Sequence, residues 1–254
     1  MIVCALVFVA SAALTIHLCV SMSAMGMPMP GGWTMSMAWM RMPGQSWPDA
    51  ATSFMAMWTV MMVAMMLPSL VPMLQRYRQA LSSVDELQPR RLTALVSVGY
   101  FSIWIAFGAA VFPLGIALAT IEMQQPTLSR AVPIGAGVVV LIAGAFQFTA
   151  WKARELACCR ELPGRGRRLG TDAATALRHG LQLGVHCARC CANLMAILLV
   201  VGVMDLRAMT LVAAAITLER LAPNGERAAR AIGAVAVAGG LLLIYGGELA
   251  ARVR

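Results

Sequence analysis

The chain has 254 residues, of which 60% are hydrophobic and only 12% charged, far from the roughly 45–50% apolar and about 25% charged mix of soluble domains. So few charges cannot coat a single water-soluble core of this size, which excludes an ordinary soluble domain. The 20 Lys and Arg outnumber 11 Asp and Glu, giving a net charge of +9, but no basic stripe interleaved with aromatics accompanies them. The charge is therefore read as setting orientation in a lipid bilayer, not as a nucleic-acid footprint.

Windows of about 20 apolar residues can cross a hydrocarbon core about 30 Å thick, and seven such segments are expected in chain order. The first runs from Ile2 to Val20. It lacks preceding Lys or Arg and is followed by a mediocre cleavage site at Ser21-Met22-Ser23-Ala24, so a retained helix is preferred over a signal peptide. The second spans Phe54–Leu74, with Pro68 and Pro72 predicting a kink. The third covers Leu92–Thr120 with Pro113 inside, and the fourth Val132–Ala150. The fifth and sixth, Cys190–Met204 and Ala208–Leu221, are short and joined at Asp205-Leu206-Arg207, so they form either a crossing or a re-entrant hairpin. The seventh, Ala231–Tyr245, carries Gly233, Gly239 and Gly240, which permit close helix contact. The expected fold is all-α: a polytopic integral membrane bundle of six or seven helices, forming one domain over residues 1–254.

With the N-terminus in the cytoplasm, fifteen of the 20 Lys and Arg fall in inner loops, including Arg76, Arg78, Arg90, Arg91, Lys152, Arg165, Arg167, Arg168, Arg178, Arg189 and Arg220. Only Arg41, Arg130, Arg207, Arg252 and Arg254 remain outside, whereas six crossings would put both ends inside, so the C-terminal side depends on whether the short fifth and sixth segments both cross. The positive-inside rule thus favours a bacterial inner membrane orientation with a Met-rich outer loop, 21–52, and a basic, Cys-containing inner loop, 151–186.

The outer loop contains Met22, Met25, Met27, Met29, Met35, Met37, Met40 and Met42 among Gly, Pro and Ser, a context that builds no buried apolar stripe. Soft thioethers favour Cu(I), and Met-x-Met spacing lets sulfurs converge. The alternative is that Met, a flexible apolar residue, lies against the membrane interface. His17 and Cys19 stand just before the loop as further donors or structural residues. On the second segment Met57, Met61 and Met65 share a face, with Met62 and Met66 alongside; packing is the simpler account, and a thioether-lined pathway the sharper one.

The seven cysteines include the vicinal pairs Cys158–Cys159 and Cys190–Cys191, which suit a local disulfide poorly and are read as thiols. Cys187, Cys190 and Cys191 lie three and four apart at the mouth of the fifth segment and can share one helical face, with His186 or His179 completing a site. Cu(I) is the expected cargo, with zinc behind it. Asp205 and Glu219 are ionisable residues at segment ends.

At these residues the chain resembles a family of bacterial predicted metal-binding integral membrane proteins, a domain of unknown function. The resemblance rests on Met-Ala-Trp-Met-Arg-Met-Pro-Gly at 37–44, Met57-Trp58 through Met65-Met66-Leu67-Pro68-Ser69, Gln147, Thr149 and Lys152. It continues through Cys187-Ala-Arg-Cys-Cys-Ala-Asn-Leu-Met195, Gly202-Val-Met204, and Glu219 with Pro223 and Gly225. Glu155 stands where that family usually has Cys, Asp205 for Asn, Ala208 for Trp, and Arg220 for Lys. The resemblance implies metal binding in a membrane.

No Gly-x-x-x-x-Gly-Lys-Ser/Thr loop or Ser-His-Asp set occurs, so no enzyme is expected. The leading expectation is a copper-handling membrane protein using Met35, Met37, Met40, Met42, Met61 and Met65 together with His186, Cys187, Cys190 and Cys191. Its partners would be the bilayer, the metal ion and a metallochaperone or membrane metalloenzyme. A membrane thiol–disulfide oxidoreductase using Cys190–Cys191 or Cys187–Cys190, and a structural subunit without metal, are the alternatives.

Overall fold

A computed structural model describes residues 2–23, 26–42, 44–81, 87–160 and 172–252. Ala24, Met25, Pro43, Arg165, Arg167, Arg168 and Arg254, which entered the sequence reading, lie outside them. Among the described residues the chain forms an all-α, polytopic bundle of α1 (Ile2–Ser23), α2 (Trp47–Ala80), α3 (Leu87–Gln124), α4 (Pro126–Phe146), α5 (Ala150–Arg160), α6 (Ala173–Val201), α7 (Leu206–Leu221) and α8 (Gly225–Arg252). Six of these, α1–α4, α6 and α8, are long and apolar enough to cross a membrane. α5 and α7, with 11 and 16 residues, are too short to join them.

α2 is the hub. Of its most apolar window 56% is buried, against 17% for α1, α3 and α8, which turn most of their surface outward. Its start is fixed by a capping box: the Ser46 hydroxyl accepts from the Asp49 backbone N–H, and the Asp49 carboxylate accepts from that of Ser46. The helix then continues for 34 residues through Pro68 and Pro72. The missing proline N–H groups leave carbonyls free in that stretch, and the Ser69 hydroxyl donates to Met66 O at 3.0 Å.

Two departures from the expected segments matter for the site. The fifth segment does not begin at Cys190. Asp172 caps a helix that starts at Ala173, accepting from Thr175 N at 2.9 Å, because Arg178, Gln182 and Arg189 all lie on an exposed face while Ala176, Gly180, Gly184 and Cys187 line the buried one. The cysteines therefore sit near the middle of α6 and not at its mouth. In addition, the Met-rich loop is not simply extended: β1 (Met27–Met29) and β2 (Trp33–Met35) pair antiparallel, with Met27 opposite Met35, and a 3₁₀ turn follows at Met37–Trp39.

α6 ends where Gly202 takes φ +138°, a conformation closed to most side chains. Asp205 then caps α7, accepting from Ala208 N at 2.8 Å. The tight turn sends α7 back along α6, so that Arg220 reaches Cys187. Where α6 crosses α3 the backbones nearly touch: a Cβ on Gly180 would lie 2.2 Å from Val96 O. This approach delivers Tyr100 of α3 to the cysteines. On α8, Gly233 and Gly240 meet α4 closely, whereas Gly239 faces open space.

Candidate metal centre

Cys187, Cys190 and Cys191 form one buried face of α6, each no more than 1% exposed, and Cys159 of α5 joins them at 5%. None of the seven cysteines is in a disulfide. The Cys187 sulfur accepts from the Tyr100 hydroxyl at 2.9 Å and from Arg220 Nη1 at 3.2 Å, and lies 3.8 Å from the Cys191 sulfur. Arg220 also donates to the Ser69 hydroxyl at 2.9 Å. Among the described residues its guanidinium has no carboxylate partner, so the charge faces sulfur. Metal binding deprotonates thiols, and a buried cation here offsets the negative charge that results.

The Cys159 thiol donates to the His186 carbonyl at 3.2 Å. The neighbouring Cys190 thiol and burial hold its pKa above the ordinary thiol range. Around this cluster runs a second polar layer. Lys152 Nζ donates to Cys190 O at 2.7 Å and to Glu219 Oε2 at 2.7 Å, in an ion pair whose side chains are 1% exposed. Gln147 Nε2 donates to Glu219 Oε1 at 2.6 Å, and Asn193 Nδ2 to Ala143 O at 3.1 Å. In the sequence, Gln147 and Lys152 stand out through the family resemblance and Glu219 also as an ionisable residue at a segment end, whereas Tyr100 carries no such mark. The chain's one lysine, between apolar helices, was the available signal.

A cavity of about 290 Å³ lies toward the N-terminal end of α2, walled by Met22, Met37, Met40, Met42 and Met57 with aromatic residues Trp39 and Phe54. Three of the four loop methionines in the sequence-predicted set thus converge. Met35 does not line this cavity; its place in the hairpin register turns it inward, 2% exposed. Toward the other end of α2 a smaller cavity of about 100 Å³ is lined by Ser69, Met73, Arg76, Cys159, Arg160 and Arg220. Between the two, Met61, Met62, Met65 and Met66 are buried, none more than 3% exposed. Met57 and Met73 are 16 positions apart, about 24 Å along a helix.

No histidine side chain joins the buried thiols. His186 projects away from Cys187, with a half-exposed ring 3.6 Å from the Cys158 sulfur and 3.9 Å from Glu155. His179 stacks on Tyr77 at 5.5 Å, and His17 is exposed. Cys19 instead meets Met209 of α7, sulfur to sulfur at 3.6 Å.

Among the described residues no three His, Cys, Asp or Glu side chains are set to hold a metal ion. What converges is sulfur, in thioethers at one end and thiols at the other. Two metal–thiolate bonds of about 2.3 Å meeting near the tetrahedral angle place their sulfurs about 3.8 Å apart, which the Cys187–Cys191 pair already satisfies. A soft cation fits this donor set, and a hard, oxygen-seeking one does not.

Comparison with curated proteins and with solved structures finds no match. Residues 55–243, which hold the α2 methionines, all four clustered thiols and their polar surround, match the family model described as PpoB2, copper chaperone. By that match over most of its length, the chain belongs to the PpoB2 copper chaperone family.

Proposed function

We propose that this is a multi-pass protein of the bacterial inner membrane that takes Cu(I) at a methionine cavity on the outer side and passes it along α2 to thiols on the cytoplasmic side, or the reverse. Membership of a copper chaperone family supports copper as the cargo. The observation that carries the reading is the placement of methionines on α2: Met57 lines one cavity, Met73 lines the other, and Met61, Met62, Met65 and Met66 are buried between them. Thioethers carry no proton and tolerate an oxidising exterior, while thiols survive in a reducing cytoplasm. With the N-terminus inside, and α7 crossing as a short seventh span, fifteen of the 20 cationic residues fall on the thiol side, which favours that polarity.

In this reading Cys187, Cys190 and Cys191 hold the ion, Arg220 balances its ligands' charge, and Tyr100 positions Cys187. Met37, Met40 and Met42 capture copper, Met61 and Met65 relay it, and Met35 supports the hairpin. The chain acts by ligand exchange without catalysing a reaction, and a metallochaperone or membrane metalloenzyme exchanges copper with it. Copper should be measured in protein purified in detergent under reducing conditions and loaded with Cu(I). Wild type is expected to retain stoichiometric copper. A C187S/C190S/C191S variant and an M37L/M40L/M42L variant should each retain less. Wild type without bound copper after loading sinks the reading.

One observation favours a thiol–disulfide oxidoreductase as the second reading: the Cys187–Cys191 separation of 3.8 Å. That reading predicts a disulfide on mild oxidation, seen as loss of two alkylatable thiols, and indifference to the methionine substitutions.

A further inference from the structure

Cys158 and His186 belong to neither the thiol cluster nor the methionine series. Cys158 is exposed on α5, and the His186 side chain is 39% exposed. The Cys158 sulfur faces His186 Nδ1 at 3.6 Å, and the same nitrogen lies 3.9 Å from Glu155 Oε2. That carboxylate oxygen is itself buried with no hydrogen-bond partner among the described residues, while Glu155 Oε1 meets Arg189 at 3.7 Å. His186 is also in contact with the buried cluster, because its backbone carbonyl accepts from the Cys159 thiol at 3.2 Å. One residue thus touches an exposed sulfur with its ring and an enclosed sulfur with its backbone, and the two cysteines are adjacent in sequence.

We infer that Cys158 and His186 form a second Cu(I) site at the protein surface, the point at which the buried thiols exchange copper with a soluble thiol-bearing donor or acceptor. The inference rests on the copper reading above. Thiolate and imidazole are a soft and a borderline donor, and two such ligands suit Cu(I), whereas zinc seeks four. Glu155, whose carboxylate lies 3.9 Å from the nitrogen that faces Cys158, offsets the cation's charge. In the exchange step a copper–sulfur bond to Cys158 forms as a bond to Cys159 or its neighbours breaks. Copper stays in the +1 state, the proton leaving Cys158 passes to water, and the released thiol takes one up.

The test uses the full-length protein in detergent, loaded anaerobically with one equivalent of Cu(I). Copper content is measured first, then the rate at which bathocuproine disulfonate extracts it. C158S and H186A are expected to keep the wild-type copper content and to release copper about tenfold more slowly or worse, having lost the nearby first acceptor. Wild-type content with a wild-type extraction rate in both variants overturns the surface site alone. Absence of copper from wild type overturns the buried-cluster reading and this inference with it.

A second measurement reads the site directly in a C159S/C187S/C190S/C191S background. Cu(I) should protect Cys158 from maleimide alkylation, H186A should abolish the protection, and E155Q should weaken it by about tenfold. Protection by Zn(II) at least as strong, or none by Cu(I), overturns the assignment. Should that background fail to fold, the extraction rates of the two surface variants decide alone.

Discussion

The buried pair Lys152–Glu219 offers the most quantitative test of the site's construction. Both side chains are 1% exposed, their charges are 2.7 Å apart, and Lys152 also holds the Cys190 carbonyl. Replacing Lys152 by Met strands the Glu219 carboxylate and leaves that carbonyl without its extra donor. Breaking one side of such a pair costs about 3–5 kcal/mol, whereas replacing both partners by apolar residues of similar volume is near neutral or stabilising. For a chain of this length, each kcal/mol moves the midpoint by about 2–4 °C. K152M should therefore lower the apparent Tm in detergent by about 6–20 °C, and K152M/E219L should recover most of the loss. The exposed Arg230–Glu226 pair, both side chains about 60% accessible, is the control, since such surface pairs contribute little. Thermal unfolding followed by circular dichroism reads all four proteins. A double variant less stable than K152M, or a K152M no worse than R230A, refutes the reasoning.

Tyr100→Phe removes only the hydroxyl that donates to Cys187 at 2.9 Å. It should cost about 1 kcal/mol of stability yet weaken Cu(I) retention in a competition titration. Met61→Leu and Met65→Leu conserve volume in a packed helix and should change stability by less than about 1.5 kcal/mol. If these methionines relay copper, transfer from the methionine cavity to the thiols slows in both variants; if they only pack, the transfer rate is unchanged. Gly180→Leu forces α6 away from α3, where a Cβ would already sit 2.2 Å from Val96 O. Size-exclusion chromatography should show loss of monodisperse protein, and a well-folded G180L contradicts the close crossing.

The apolar spans were legible because hydrocarbon thickness dictates their length. The α6 start was not, because Arg178, Gln182 and Arg189 interrupt the apolar run while occupying only one face of a continuing helix. Spacing alone placed Cys187, Cys190 and Cys191 together. Their polar partners could not be read the same way: Tyr100 and Arg220 come from α3 and α7, brought in by the tight crossing at Gly180 and the turn at Gly202. Among the loop methionines, density in sequence did not separate Met35 from Met37, Met40 and Met42. The hairpin register does, by burying the first and leaving the others around a cavity. His186 likewise stands next to Cys187 in sequence, but one residue of helical rotation carries its ring to another face.

Extended X-ray absorption at the copper edge, on the full chain loaded with one equivalent of Cu(I), tests the central claim most directly. A first shell of sulfur alone, lost or replaced in C187S/C190S/C191S, is the result predicted for copper held by the buried thiols. A shell of oxygen or nitrogen, or one unchanged in that variant, contradicts it.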